Sequence, residues 1–116
     1  MMGIVEILLK FLKNKRYIND VEKAEKEIKK EHISLKKADD LFIRDAITGV
    51  GTILKEDLEQ HYYITTVKVG AFGNVLTQAI IQRTDDNAEL AVYAHEGFIK
   101  QRLADKTLEK LKKVLC

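Results

Sequence analysis

Few residues in this chain are equipped for bond-making chemistry, so the first question is whether any are spaced to act together. The histidines are His32, His61 and His95. No two have the short spacing that ligands on one helix or turn need, and the cysteine is remote from all of them, so no zinc-type motif is present and no metal or cofactor is expected. His61 opens one predicted strand and His95 closes another. A meander that brought them to one end of a sheet, with Glu96, would make an acid–base or metal site. Nothing in the sequence forces that convergence, and solvated strand-end histidines are the simpler expectation. Carboxylates cluster as Glu56, Asp57 and Glu59 and again as Asp85 and Asp86. Paired carboxylates can do general acid–base work, but polar turns call for the same residues.

Gly49-Val50-Gly51-Thr52 lacks the third glycine of a dinucleotide fingerprint and the Gly-Lys-Ser/Thr of a phosphate loop. It reads as a bend or a close backbone approach. Serine occurs once, as Ser34, outside any G-x-S-x-G, which excludes the usual serine-nucleophile hydrolases. The lone cysteine, Cys116, is the last residue, so no intramolecular disulfide can form. A reducing, cytoplasmic setting and an ordinary exposed thiol follow as expectations.

The elements that would position these groups can be read from hydrophobic period. The 116 residues are 46% hydrophobic and 33% charged, enough for a single α+β domain with its own core. No proline or repeat marks a boundary. Residues 3–13 form a predicted helix whose apolar arc, Ile4 to Leu12, covers more than half the wheel. Such an arc is buried on two sides or lies in a membrane interface. With no tryptophan, and with Glu6 in the polar sector, core or subunit packing is favoured over membrane contact. Residues 1–16 resemble a signal peptide only superficially, since they lack a basic start and a cleavage site. A second helix is expected over 20–31, capped by Asn19 or Asp20, with Glu22–Lys26 and Glu25–Lys29 at i,i+4. Ser34 is the expected cap of a third helix, ended by Thr48 and Gly49, with a strand through Thr52–Leu54 after it. Alternation of Leu41, Ile43 and Ile47 leaves a strand over 41–48 as the rival, which Ala38 and the nearby aspartates disfavour.

From His61 to Arg83 the period changes to two, and the reading is a β-hairpin. A loop of Gly70 to Asn74 sets Val69 opposite Val75, Val67 opposite Thr77, Thr65 opposite Ala79 and Tyr63 opposite Ile81. A four-residue turn over Asp85–Ala88 would place Leu90, Val92 and Ala94 beside Arg83, Ile81 and Ala79, on the same face. Residues 103–115 form an amphipathic helix. The expected order is N-terminal helices, a three- or four-stranded antiparallel meander, then this helix, with the helices mainly on one sheet face.

Binding is expected rather than catalysis. Phe72 sits at the hairpin tip between flexible glycines, and the second sheet face carries Tyr62, Ile64, Ile80, Ala91 and Tyr93, too apolar to be fully wet. Either the N-terminal helix or another subunit must cover it. A small non-enzymatic cytoplasmic adaptor or regulatory protein is expected, working by protein–protein contact and self-associating as a homo-oligomer through Phe72, Tyr62, Ile64, Ile80 and Tyr93. Weak nucleic-acid binding through Lys106, Lys110 and Lys113 is one alternative. The formal net charge of only +2 argues against it, although residues 100–116 carry 6 basic and 2 acidic groups against 4 and 8 in residues 41–99. The other alternative is a ligand-binding or enzymatic domain with a pocket between sheet and helices, near His61 and His95.

Overall fold

The central hairpin forms in the register its side chains require. In the computed structural model, which describes residues 3–70, 75–95 and 102–116, Val69 pairs with Val75, Val67 with Thr77, Thr65 with Ala79 and Tyr63 with Ile81. The elements in chain order are α1 (Ile4–Asn14), α2 (Val21–Lys26), β1 (Ile28–Ser34), α3 (Asp40–Thr48), β2 (Gly51–Asp57), β3 (Tyr62–Val69), β4 (Val75–Thr84), β5 (Asn87–Tyr93) and α4 (Leu103–Leu115). The class is α+β with an antiparallel sheet and a C-terminal helix packed on it.

Three expectations need correction. The sheet has five strands, in the order β1-β5-β4-β3-β2, rather than three or four. The added strand, β1, occupies residues expected to continue the second helix. That helix is capped by the Asp20 carboxylate, 3.1 Å from the Lys23 amide, but stops at Lys26. Only Ile33 of the strand that follows is fully buried, so its lysines, glutamate and histidine look like a helix surface in sequence. Secondly, the third helix is capped by Asp39, whose carboxylate accepts from the Leu41 amide at 3.0 Å, while Ser34 ends β1. Residues 41–48 are helical. Thirdly, helices cover both faces of the sheet.

The β4–β5 turn is two residues long, Asp85 and Asp86, with Thr84 paired to Asn87. Asp85 takes a left-handed φ of 56°, which aspartate tolerates better than most residues. Ile81 therefore meets Leu90, and Ala79 meets Val92, two positions from the expected pairs. A slip of two keeps every side chain on its expected face.

The sheet divides the core in two. On one face Tyr63, Val67, Ile81, Leu90 and Val92 pack under Ile43 and Ile47 of α3 and Leu108, Leu111 and Leu115 of α4. On the other, Ile64, Ile80 and Ala91 pack under Leu8, Leu9 and Leu12 of α1 and Ala24 of α2. The polar members are paired: the Thr77 hydroxyl, 2.7 Å from that of Thr107 on α4, donates to the Val67 carbonyl. Gly51 is the close approach expected of the Gly49–Thr52 fragment, because a Cβ there would collide with the Thr66 carbonyl. No described helix is long and apolar enough to cross a membrane.

Candidate functional site

Four of the five side chains expected to meet a partner are spent on the chain's own packing. Tyr62, Ile64, Ile80 and Tyr93 are all buried, within the cluster built by α1 and α2. The wide apolar arc of α1 is the cover that this sheet face needed. A partner reaches Ile64 and Ile80 only by displacing α1 and α2, while Tyr62 and Tyr93 keep only an edge open at the margins of these helices. Phe72 lies outside the described residues. Lys106, Lys110 and Lys113 share a small cleft with Glu109, Val69 and Gly70 at the end of β3. The Lys110 ammonium donates to the Lys68 carbonyl, which ties α4 to the sheet.

The histidines do not converge, and the strand directions explain why. β3 and β5 are both antiparallel to β4, so they run the same way. The start of one and the end of the other therefore lie at opposite ends of the sheet. His95 Nδ1 lies 3.5 Å from the Glu27 carboxylate. His61, held at a left-handed φ of 56°, instead meets Asp40 from the first turn of α3 and Arg83 from β4.

In that cluster, Asp40 Oδ2 lies 3.2 Å from His61 Nδ1, and Arg83 Nε donates to Asp40 Oδ1 at 3.3 Å. Arg83 Nη2 also lies 3.2 Å from the same imidazole nitrogen. The Tyr63 hydroxyl donates to the Asp40 carbonyl at 3.4 Å. Burial pushes the Tyr63 phenol well above its ordinary range, and the neighbouring Asp40 adds to the rise. Burial also works against the Asp40 charge. Hydrogen bonding to Arg83 and the Tyr63 hydroxyl, the Arg83 charge and His61 outweigh it and lower the carboxyl below its usual value. A carboxylate beside an imidazole is the orienting half of an acid–base site. Here Arg83 engages both the carboxylate and the ring nitrogen, so the groups satisfy one another and fasten the start of α3 to the ends of β3 and β4. No group of three or more His, Cys, Asp or Glu among the described residues could hold a metal.

Two open grooves flank α1. The first, of about 430 Å³, lies where β4 leaves the hairpin tip, between the segment after α1 and the sheet. Tyr17, 47% exposed, and Leu76, 53% exposed, both line it, with Tyr93, His95 and Glu27. Leu76 faces the same side of the sheet as Ile80. The second groove, of about 710 Å³, lies between α1 and the β2–β3 hairpin at the other end of the sheet. Ile7, Phe11 and Tyr62 supply its apolar wall, and Lys10 and Lys55 are among its polar residues.

The sequence reading missed Asp40, Arg83, Tyr17 and Leu76 as site residues. The hairpin register held a signal for two contacts, since extending Tyr63–Ile81 by two brings His61 beside Arg83, and Lys68–Leu76 puts Leu76 near the tip. No family model, curated protein or solved structure matches the chain.

Proposed function

We propose that this chain is a non-enzymatic binding module that acts by protein–protein contact, and that the contact is with a second copy of itself at the hairpin-tip end of the sheet. One observation carries the reading: two large apolar side chains, Tyr17 and Leu76, stand half-exposed on one groove near the start of β4. Single exposed apolar residues need no explanation. Two around one concavity, at the start of β4, are material for an anchor and its pocket. Because Leu76 lines the groove, a two-fold contact at this end of the sheet sets each copy's Leu76 and Tyr17 against the other's groove and covers both apolar side chains together. The charges around the groove, Asp20 and Glu27 with Lys23, are of mixed sign and suit a self-complementary rim. A cytoplasmic setting, with Cys116 reduced, accords with this role.

The test is sedimentation across protein concentration. The wild type should self-associate reversibly. Leu76→Glu and Phe72→Ala should each weaken association roughly tenfold or more, as loss of an anchor does, with circular dichroism unchanged. A wild type that stays monomeric throughout, or a Leu76→Glu variant that associates normally, overturns the reading.

A further inference from the structure

We propose that the groove between α1 and the β2–β3 hairpin is a binding site for a small apolar monoanion, an aromatic carboxylate. It exists because two helices are shared over a wide sheet: α1 packs on β4 and β5, which leaves the β2–β3 margin as an open wall beside it. One stripe of α1, at the i, i+3, i+4, i+7 spacing, faces this margin with Ile7, Lys10, Phe11 and Asn14. Lys55, Glu59, Gln60, Tyr62 and Gln82 face it from the sheet. The volume, about 710 Å³, is that of sites for small organic ligands.

The class of ligand follows from what lines the cleft. Half-buried Ile7 and Phe11, with the exposed edge of Tyr62, offer an apolar surface to a flat hydrocarbon body. Lys10 and Lys55 stand on opposite walls, and neither has an ion-pair partner among the described residues. Lys55 Nζ lies 5.7 Å from the centroid of the Tyr62 ring, so the cation already sits over the apolar wall where an acid group would meet it. Glu59 on the same lining leaves one surplus positive charge, which matches a single carboxylate and repels a polyphosphate. The Gln82 amide donates to the Gln60 carbonyl at 3.0 Å, which holds it in place and leaves its own carbonyl oxygen for a ligand N–H or O–H.

Naphthoate is a suitable probe, followed by backbone-amide NMR on the full chain. Saturable shifts should concentrate at Lys10, Asn14, Lys55, Gln60 and Gln82. Neutral naphthamide should bind roughly tenfold more weakly, and the Lys10→Gln/Lys55→Gln double variant should lose naphthoate affinity by a similar factor while keeping its spectrum. Leu76→Glu should bind naphthoate normally, because Leu76 is six residues from Gln82 along β4, roughly 20 Å away. Failure of self-association thus leaves this proposal standing, and the reverse holds. Equal affinity for the acid and the amide, full affinity in the double variant, or shifts that do not saturate or fall outside the groove would overturn it.

Discussion

Asp40 shows how a single carboxylate can join elements that the sequence keeps apart. It sits in the first turn of α3, yet it pairs with Arg83 of β4 and lies beside His61, which precedes β3. Its carboxyl titrates below the ordinary range when folded. Such a group stabilises the fold above its unfolded pKa of about 3.9, and that contribution is lost as pH falls through the lower folded value. Asp40→Asn should therefore cost about 1 kcal/mol near neutral pH, the usual worth of such a bond. The difference from wild type should begin to close as the pH falls below about 4 and be gone once it is below the folded value. Urea unfolding of both proteins across that range measures it, and a gap that persists into strong acid would assign the loss to something other than the charge. Half of this cluster was legible. The hairpin register alone brings His61 and Arg83 together, whereas placing Asp40 required knowing where α3 lands on the sheet.

At the scale of elements, strong periodicity was readable and marginal segments were not. The hairpin, α1 and α4 each bury a continuous apolar stripe, and each formed close to its expected bounds. β1 was hidden because an edge strand keeps charge on its open side and one buried residue, Ile33, cannot establish a period. Ends of elements add two predictions. α1 closes in a Schellman arrangement, with Tyr17 N–H bonded to the Leu12 carbonyl at 2.9 Å and Arg16 N–H to that of Lys13 at 3.1 Å. The left-handed residue is Arg16, at φ 62°, where glycine is the usual choice. Arg16→Gly should raise stability by about 1 kcal/mol in chemical denaturation, since the Cβ penalty disappears. Gly51→Ala should do the reverse. Its Cβ would strike the Thr66 carbonyl, a backbone atom that cannot swing aside. The β2–β3 pairing must then shift, at a cost of about 3 kcal/mol or more, and a lowered midpoint with loss of amide protection in β2 is the expected readout. An alanine variant as stable as wild type would show that β2 can leave the sheet cheaply.

The whole molecule is set by one long closure. β2 to β5 follow one another as a meander of short connections, while β1, which precedes them, must cross to the far edge and pair with β5. Consecutive strands β1 and β2 thus end on opposite edges, linked by α3. The Ser34–Asn87 contact spans 53 residues, against 10 for the Thr77–Val67 contact inside the hairpin. Loop-closure entropy rises with separation and must be met before the distant pairing rewards it. β1 accordingly has the weakest case for early formation: its anchor is Ile33, and its neighbours face solvent. Ile33→Ala should speed unfolding and leave folding almost unchanged, with φ near zero, whereas Ile81→Val at the centre of the meander should slow folding, with φ of about 0.5 or above. Both truncations remove enough buried surface, about 1 kcal/mol or more, for the ratio to be read from denaturant-dependent rates. A higher φ at Ile33 than at Ile81 would mean that the edge pairing nucleates the sheet, and that α3 is carried across before the meander closes.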